Sequence, residues 1–354
     1  MIRLESVSKA FAGKPVIADL DLEIGTGEFV AILGPSGSGK STILRLIAGL
    51  EAPDEGRVSI NGLPVGAAGT NPVAMVFEDA ALYEHLDVAG NLALPLKVRH
   101  TPKSEIDASV RRRARKAGIN RLLSRRPRTL SGGEQGLVAV GRALDLPDTE
   151  VLLLDEPLSQ ADKRMRTRFR AWLAGLTGMT IVLATNDQEE AMALADRIAV
   201  LDGGCVSQVG APMEVYRNPA NRTVAGFIGR PPMNLIPAAV EGGSLRVGSE
   251  LVVLGTPLTA PREGARVLLG VHPADLHLAG PDSQFEMVIH ATTGRVEQLG
   301  SHRVVWFGLG SSFGASYAFL SREVVSDGRR IELTWERGKE RLFDASTGLA
   351  LPQR

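Results

Sequence analysis

Gly34-Pro35-Ser36-Gly37-Ser38-Gly39-Lys40-Ser41-Thr42 has the composition of a loop that wraps phosphate. Gly34, Gly37 and Gly39 carry no Cβ, so the backbone can turn tightly and aim successive N–H groups at phosphate oxygens. Lys40 adds a point charge for the β- and γ-phosphates of a nucleotide, and the Ser41 hydroxyl suits Mg²⁺. The apolar run Phe29-Val30-Ala31-Ile32-Leu33 precedes the loop, and Ile43-Leu44-Arg45-Leu46-Ile47-Ala48 follows with apolar residues at helical spacing. Strand, glycine loop and helix form the context that the G-x-x-x-x-G-K-[ST] pattern requires, since the helix start adds positive potential.

Two further stretches carry chemistry. Val151-Leu152-Leu153-Leu154-Asp155-Glu156 sets two carboxylates at the end of a run apolar enough to be a fully buried strand. Beside a phosphate loop, Asp155 suits Mg²⁺, directly or through water, and Glu156 can polarise an attacking water. Upstream, Leu130-Ser131-Gly132-Gly133-Glu134 reads as a helix start, and a serine with two glycines there makes a second anion-binding surface.

The elements that must position these residues follow from periodicity. Residues 1 to about 30 alternate apolar and polar as short antiparallel strands. Phe11 falls in the turn between them, placed either to stack on a nucleotide base or as a plain core or surface ring. Gly56–Gly62 reads as another strand and turn, and Val73–Phe77 and Met179–Ala184 as buried strands. Their alternation with helices predicts a parallel sheet covered on both faces. From about 83 to 147 the pattern is helical and polar, with a helix start at Ser104-Glu105-Ile106-Asp107. Arg111, Arg112, Arg113, Arg115 and Lys116 follow, and without interleaved aromatics they predict a solvated face rather than a nucleic-acid surface. Composition shifts near 229–234, after which short alternating strands (Leu251–Leu254, Arg266–Val271, Met287–Ile289, Val304–Phe307) predict an all-β domain, a small barrel.

The 354 residues are too many for one small core, which predicts two domains. Apolar content of 44% and charged content of 23% fit a globular protein, and with zero formal net charge nothing global argues for nucleic acid as a partner. Cys205 is the single cysteine, so no internal disulfide forms, which fits a reducing compartment. No apolar run nears the roughly 20 residues that cross a bilayer, so a membrane role must run through a partner.

Taken together, these motifs resemble the ATP-binding subunits of ABC transporters. The match comprises the loop Gly34–Thr42, the signature Leu130-Ser131-Gly132-Gly133-Glu134, Asp155-Glu156-Pro157, the following loop Leu158-Ser159-Gln160-Ala161-Asp162, and Asp187-Gln188-Glu189-Glu190-Ala191-Met192. Gly226-Phe227-Ile228-Gly229, Met233-Asn234, Val271-His272-Pro273-Ala274-Asp275 and Leu342-Phe343-Asp344 resemble the C-terminal regulatory domain of maltose-importer-type ATPases. The resemblance implies an α/β P-loop NTPase core with N-terminal antiparallel β strands and an inserted helical subdomain (about 83–147). That core would occupy 1–232, and an all-β, OB-like regulatory domain 233–354. It implies ATP and Mg²⁺ as cofactors, with Phe11, Ser131, Gly132, Gly133, Glu134 and Asp162 joining the phosphate loop in nucleotide binding. It further implies transmembrane permease subunits, a second ATP-binding subunit (paralogous or identical) and, indirectly, an extracytoplasmic solute-binding protein. The working place would be the cytoplasmic side of the membrane, with a carbohydrate or polyol as cargo. Leu82, Tyr83 and Leu86 resemble the groove that receives a permease helix, with ordinary core packing as the competing reading.

Two departures from the family pattern stand out. The glutamine expected after Met75-Val76-Phe77 is Glu78, which could still ligate Mg²⁺ but brings negative charge towards phosphate. The histidine expected after Ala184-Thr185 is Asn186, which can donate a hydrogen bond but carries no positive charge. These substitutions predict good ATP binding, slow hydrolysis at the chain's own loop, and pairing with a paralogous subunit that has both missing residues, with harmless substitution in an active enzyme as the competing reading. A subunit that never hydrolyses ATP is the alternative, against which the retained Glu156 speaks.

Overall fold

The structure, a computed structural model, describes residues 1–66, 72–144, 149–159, 161–176, 178–248, 250–252, 263–279, 287–300, 302–309, 317–323 and 325–352. They divide into two units, Met1–Pro212 and Met213–Arg354.

The first unit opens with β1 (Ile2–Phe11) and β2 (Lys14–Ile24), paired antiparallel with Ile2 opposite Ile24. These strands are longer than the sequence suggests, because bulges at Leu4/Val7 and Val7/Lys9 break the alternation without ending the pairing. Next come β3 (Phe29–Leu33), α1 (Lys40–Ala48), β4 (Glu55–Ile60), β5 (Leu63–Pro64) and β6 (Val73–Val76). Three helices follow, α2 (Val88–Val98), α3 (Lys103–Lys116) and α4 (Gly132–Ala143). The unit closes through β7 (Val151–Asp155), α5 (Lys163–Ala174), β8 (Thr180–Thr185), α6 (Gln188–Leu194), β9 (Arg197–Asp202) and β10 (Cys205–Gly210).

One sheet runs β2-β1-β4-β5 and is antiparallel. The other runs β10-β9-β3-β8-β7-β6 and is parallel except for β10. Its central strands read as unbroken apolar runs because both faces are covered. Leu152, Leu154, Ile181 and Leu183 pack with Leu92, Leu137 and Phe169 of the helices. The alternate residues Val151, Leu153, Val182 and Ala184 pack with α1 and the antiparallel sheet. Burying each of these Val, Leu, Ile and Phe side chains stabilises the fold by about 1.5–3 kcal/mol.

Two helical details differ from the sequence reading. α3 begins at Lys103 after Pro102, whose fixed φ suits a helix start, and no side chain caps it. Arg113 is not on a solvated face. It is 4% exposed, and its Nη1 donates to Leu92 O (2.7 Å) and Gly141 O (3.3 Å), pinning α3 to α2 and α4.

From the end of the first unit the chain forms α7 (Pro212–Arg217) and α8 (Arg222–Phe227), then, among the described residues, ten strands. These are β11 (Asn234–Glu241), β12 (Ser244–Val247), β13 (Glu250–Val252), β14 (Arg266–Val271) and β15 (His277–Leu278). They continue with β16 (Met287–Leu299), β17 (His302–Gly308), β18 (Tyr317–Ser321), β19 (Arg330–Trp335) and β20 (Arg341–Asp344). Two five-stranded antiparallel sheets result, ordered β13-β12-β11-β14-β20 and β15-β19-β16-β17-β18. Leu269, Val271, Ile289, Phe307, Phe319, Leu333 and Trp335 fill the space they enclose. The all-β reading holds; of the expected strand Leu251–Leu254, residues 253 and 254 lie outside the described residues.

The division between the units precedes the composition shift at 229–234, and hydrogen bonds explain why. His272 Nε2 meets Tyr216 O (2.7 Å), Arg341 Nε donates to Arg217 O (2.8 Å), and Ala350 N donates to Ala220 O (2.9 Å). Among the described residues no helix is long and apolar enough to cross a membrane.

Candidate functional site

Parallel pairing brings the carboxyl ends of β3, β8, β7 and β6 to one edge of the sheet. Gly34–Thr42 leave β3, Asn186 leaves β8, Asp155 and Glu156 end β7, and Glu78 follows β6. Open α/β sheets take ligands at that edge.

Gly39 caps α1 at φ 100°, and a Cβ there would lie 2.5 Å from Ile17 Cδ1, so only glycine lets the loop lie against β2. The next residue, Lys40, is 5% exposed. Its Nζ donates to Gly34 O (3.0 Å) and Pro35 O (3.1 Å) and lies 3.4 Å from Glu156 Oε1. Ser41 Oγ donates to Asp155 Oδ1 at 2.8 Å. Ser38 is buried in the same loop, and its Oγ has no hydrogen-bond partner among the described residues. A buried hydroxyl of that kind is costly unless something polar satisfies it, and a phosphate oxygen has the required chemistry.

Asp155 ends a buried strand, and burial holds its carboxyl above the usual range. The Ser41 hydrogen bond and the charges of Arg45 and Lys40 oppose that shift, while the charge of Glu78 reinforces it. Glu78 is therefore near enough to Asp155 for the two carboxylates to repel. Their hard oxygens with Ser41 Oγ make a donor set suited to Mg²⁺. Glu156 sits at φ 41°, a left-handed conformation that costs a non-glycine residue about 1–3 kcal/mol. Its N–H donates to Ala184 O (2.9 Å), which anchors the backbone from which the carboxylate reaches Lys40. Asn186 and Glu78 are both exposed. Glu78 also lines a pocket of about 110 Å³ with Phe77, Gly132, Gln135, Pro157 and Ser159.

Ser131 caps α4. Its Oγ accepts from Glu134 N (3.3 Å), and Glu134 Oε2 accepts from Ser131 N (3.0 Å), a capping box. Glu134 thus holds the helix start from within. Gly133 is required by close approach, since a Cβ there would meet Met165 Cγ of α5 at 2.4 Å. No hydrogen bond or ion pair joins Ser131–Glu134 to residues 34–42 of the same chain among the described residues.

Two other expected site residues have visible structural partners. Asp162 caps α5, its Oδ1 accepting from Met165 N (2.8 Å). Phe11 ends β1, 40% exposed, with Lys9 Nζ 5.4 Å from its ring centroid. Leu82 packs on the core beside α2, whereas Tyr83 is exposed, with the Arg142 guanidinium 5.6 Å from its ring centroid. Gln160 lies outside the described residues. Sequence reasoning missed Arg166, whose side chain bonds both Ala161 O and Asp187; Ala161 is near in sequence, but Asp187 lies beyond β8, so no local pattern announces the pair.

Residues 17–159 match the family model described as ABC transporter. The chain is 40% identical over 375 aligned positions to the trehalose/maltose import ATP-binding protein MalK of Thermococcus litoralis, covering 99% of each. It is 39% identical over 356 positions to the sn-glycerol-3-phosphate import ATP-binding protein UgpC of Cereibacter sphaeroides, again 99% of each. A solved dimer of the ATP-binding cassette MJ0796 with ADP and Pi shares 29% identity at TM-score 0.55, covering 60% of this chain and 99% of that one. A second dimeric structure of MJ0796, described as a bacterial ABC transporter cassette, gives TM-score 0.56 over the same shares.

Proposed function

Because the chain belongs to the ABC transporter family of ATP-binding subunits, we propose that it energises a solute importer through ATP bound between two copies of itself. The relatives' names support a sugar or a glycerol phosphate as the cargo class. An import role for a chain with no membrane-spanning helix among its described residues calls for permease subunits as partners and a peripheral position on the cytoplasmic face. The dimers of a single cassette support pairing of two identical chains. Pairing with a paralogous ATPase, expected from the sequence, gains no support from these neighbours.

In this reading Lys40, the loop amides of Gly34–Thr42 and Ser38 Oγ hold the phosphates. Ser41, Asp155 and Glu78 would hold Mg²⁺, which neutralises phosphate charge when bound. Glu156 polarises the attacking water, and Asn186 donates a hydrogen bond to the terminal phosphate. The second copy contributes Ser131, Gly132 and Gly133 at its α4 start, and Phe11 stacks on the base. Asp162 and Glu134 act by capping the helices that carry these loops. Tyr83 and Leu86 receive a permease helix.

The observation that carries the reading is the convergence of Lys40 on Glu156 and of Ser41 on Asp155. That convergence supports Lys40 as the charge, Ser41 and Asp155 as metal-binding oxygens and Glu156 as the general base around one phosphate loop. The same site lacks the family's glutamine and histidine, so each copy binds ATP well and turns it over slowly. Restoring both, as Glu78→Gln/Asn186→His, should raise turnover on the order of 10²-fold or more with ATP affinity nearly unchanged. Equal turnover in variant and wild type overturns the slow-site reading. Binding without any phosphate release in the wild type would favour a nucleotide-gated regulatory subunit instead.

A further inference from the structure

Arg166 stands where two loops and one helix meet. Its Nε donates to Ala161 O (3.0 Å), and its Nη1 pairs with Asp187 Oδ2 (2.7 Å). Ala161 belongs to the loop that follows Glu156-Pro157. Asp187 follows Asn186, and its other oxygen accepts from Glu189 N (2.9 Å) at the start of α6. Asp187 N in turn donates to Thr185 Oγ1, which donates to buried Glu190 (both 3.0 Å). The Asn186 loop therefore hangs on a short bonded chain whose outer end is the Arg166 guanidinium. On the other side, Ala161 and the neighbouring Met165 are the atoms a Cβ at Gly133 would strike, so the signature turn lies directly on this segment.

We propose that Arg166 is a positioning residue that couples the two shared ATP sites. Gly133 faces the ATP held by the second copy, whereas Asn186 faces the ATP of the chain's own loop. A guanidinium is planar and its donors point in fixed directions, so movement of Ala161 is passed to Asp187. Occupancy of one site then biases the geometry of the other. The inference rests on the shared-site reading above and adds a specific link to it.

The test uses the full chain and follows ATP-driven dimerisation by light scattering and hydrolysis against ATP concentration. Nucleotide affinity of the monomer and the melting temperature are measured alongside. Arg166→Ala should raise the ATP concentration for half-maximal dimerisation about tenfold and bring the Hill coefficient to one, with monomer affinity unchanged. Arg166→Lys keeps the charge but not the two fixed donors, so it should recover melting temperature more than cooperativity. If the wild type dimerises with ATP and Arg166→Ala matches it in cooperativity, the coupling role is overturned. Loss of melting temperature with cooperativity intact also overturns it, leaving a purely structural arginine. A wild type that binds ATP but does not dimerise overturns the shared-site reading itself, and the coupling with it.

Discussion

Lys40 Nζ lies 3.4 Å from Glu156 Oε1 while donating to two carbonyls of its own loop, although 116 positions separate the two residues. The ammonium is thus aimed by the loop, while the main chain that carries the carboxylate is held by the bond from Glu156 N to Ala184 O. Charge and base are oriented by separate supports, so they can be removed separately. Glu156→Gln keeps shape and removes the base, and turnover should fall about 10²–10⁴-fold with ATP still bound. Lys40→Ala should weaken ATP binding itself about 10–100-fold, the loss of one hydrogen bond to a charged group. Equilibrium nucleotide binding and phosphate release on both variants separate the two effects.

Asp155 links stability to pH. Burial raises its carboxyl above 3.8, the value expected in the unfolded chain. The folded state then keeps a proton that the unfolded chain has released. Stability therefore falls as pH rises from 3.8 through the raised value, and above that window the penalty is constant. Asp155→Asn should melt at or above the wild-type temperature at pH 7, the margin closing as pH falls towards 3.8. Mg²⁺-dependent turnover should be lost in the same variant. Calorimetry at several pH values checks the first statement, and a lower melting temperature at pH 7 contradicts it.

The sheet core offers a contrast between two leucines. Leu152 is fully buried in β7 between the helical layer and its neighbours, while Leu63 in β5 is 71% exposed. Leu152→Ala should cost about 2–5 kcal/mol, transfer plus cavity. Leu63→Ala should stay within about 0.5 kcal/mol. Denaturant titration of both variants measures the difference.

Features written in local sequence were legible, and those made by tertiary contact were not. β7 and β8 read as buried strands because both faces are covered, which leaves no polar alternation to confuse the pattern. The phosphate loop read clearly because glycines, lysine and serine must sit at fixed spacing along one segment. Arg113 did not, because nothing local distinguishes it from Arg112; only α2 and α4 supply the carbonyls that let it be buried. The second β unit was legible as strands, yet its start was not, since α7 and α8 join it through bonds to residues such as Arg341 and Ala350 far along the chain. Arg113→Ala, which leaves two buried carbonyls short of a donor, should cost about 1–3 kcal/mol. Arg112→Ala, on the solvated side of α3, should cost a fraction of that.

His272 gives the second unit its own pH dependence. The ring is 3% exposed, stacks on Tyr216 at 3.9 Å with planes 10° apart, and bonds Tyr216 O through Nε2 (2.7 Å). Burial holds its pKa below 6.5, while the Tyr216 carbonyl and Asp275 pull it up and Arg341 pushes it down. The unfolded chain takes up a proton near 6.5 that the folded ring refuses. Its contribution to stability is therefore complete above 6.5 and is lost as pH falls from there through the folded value. His272→Phe keeps a stacked ring and removes the titration, at the expense of the bond to Tyr216 O, about 1 kcal/mol. The variant should be less stable than wild type at pH 8, and the two should converge as pH drops below 6.5. Denaturant midpoints of the full chain from pH 5 to 8 check this, and parallel profiles for the two proteins would rule out His272 as the titrating group.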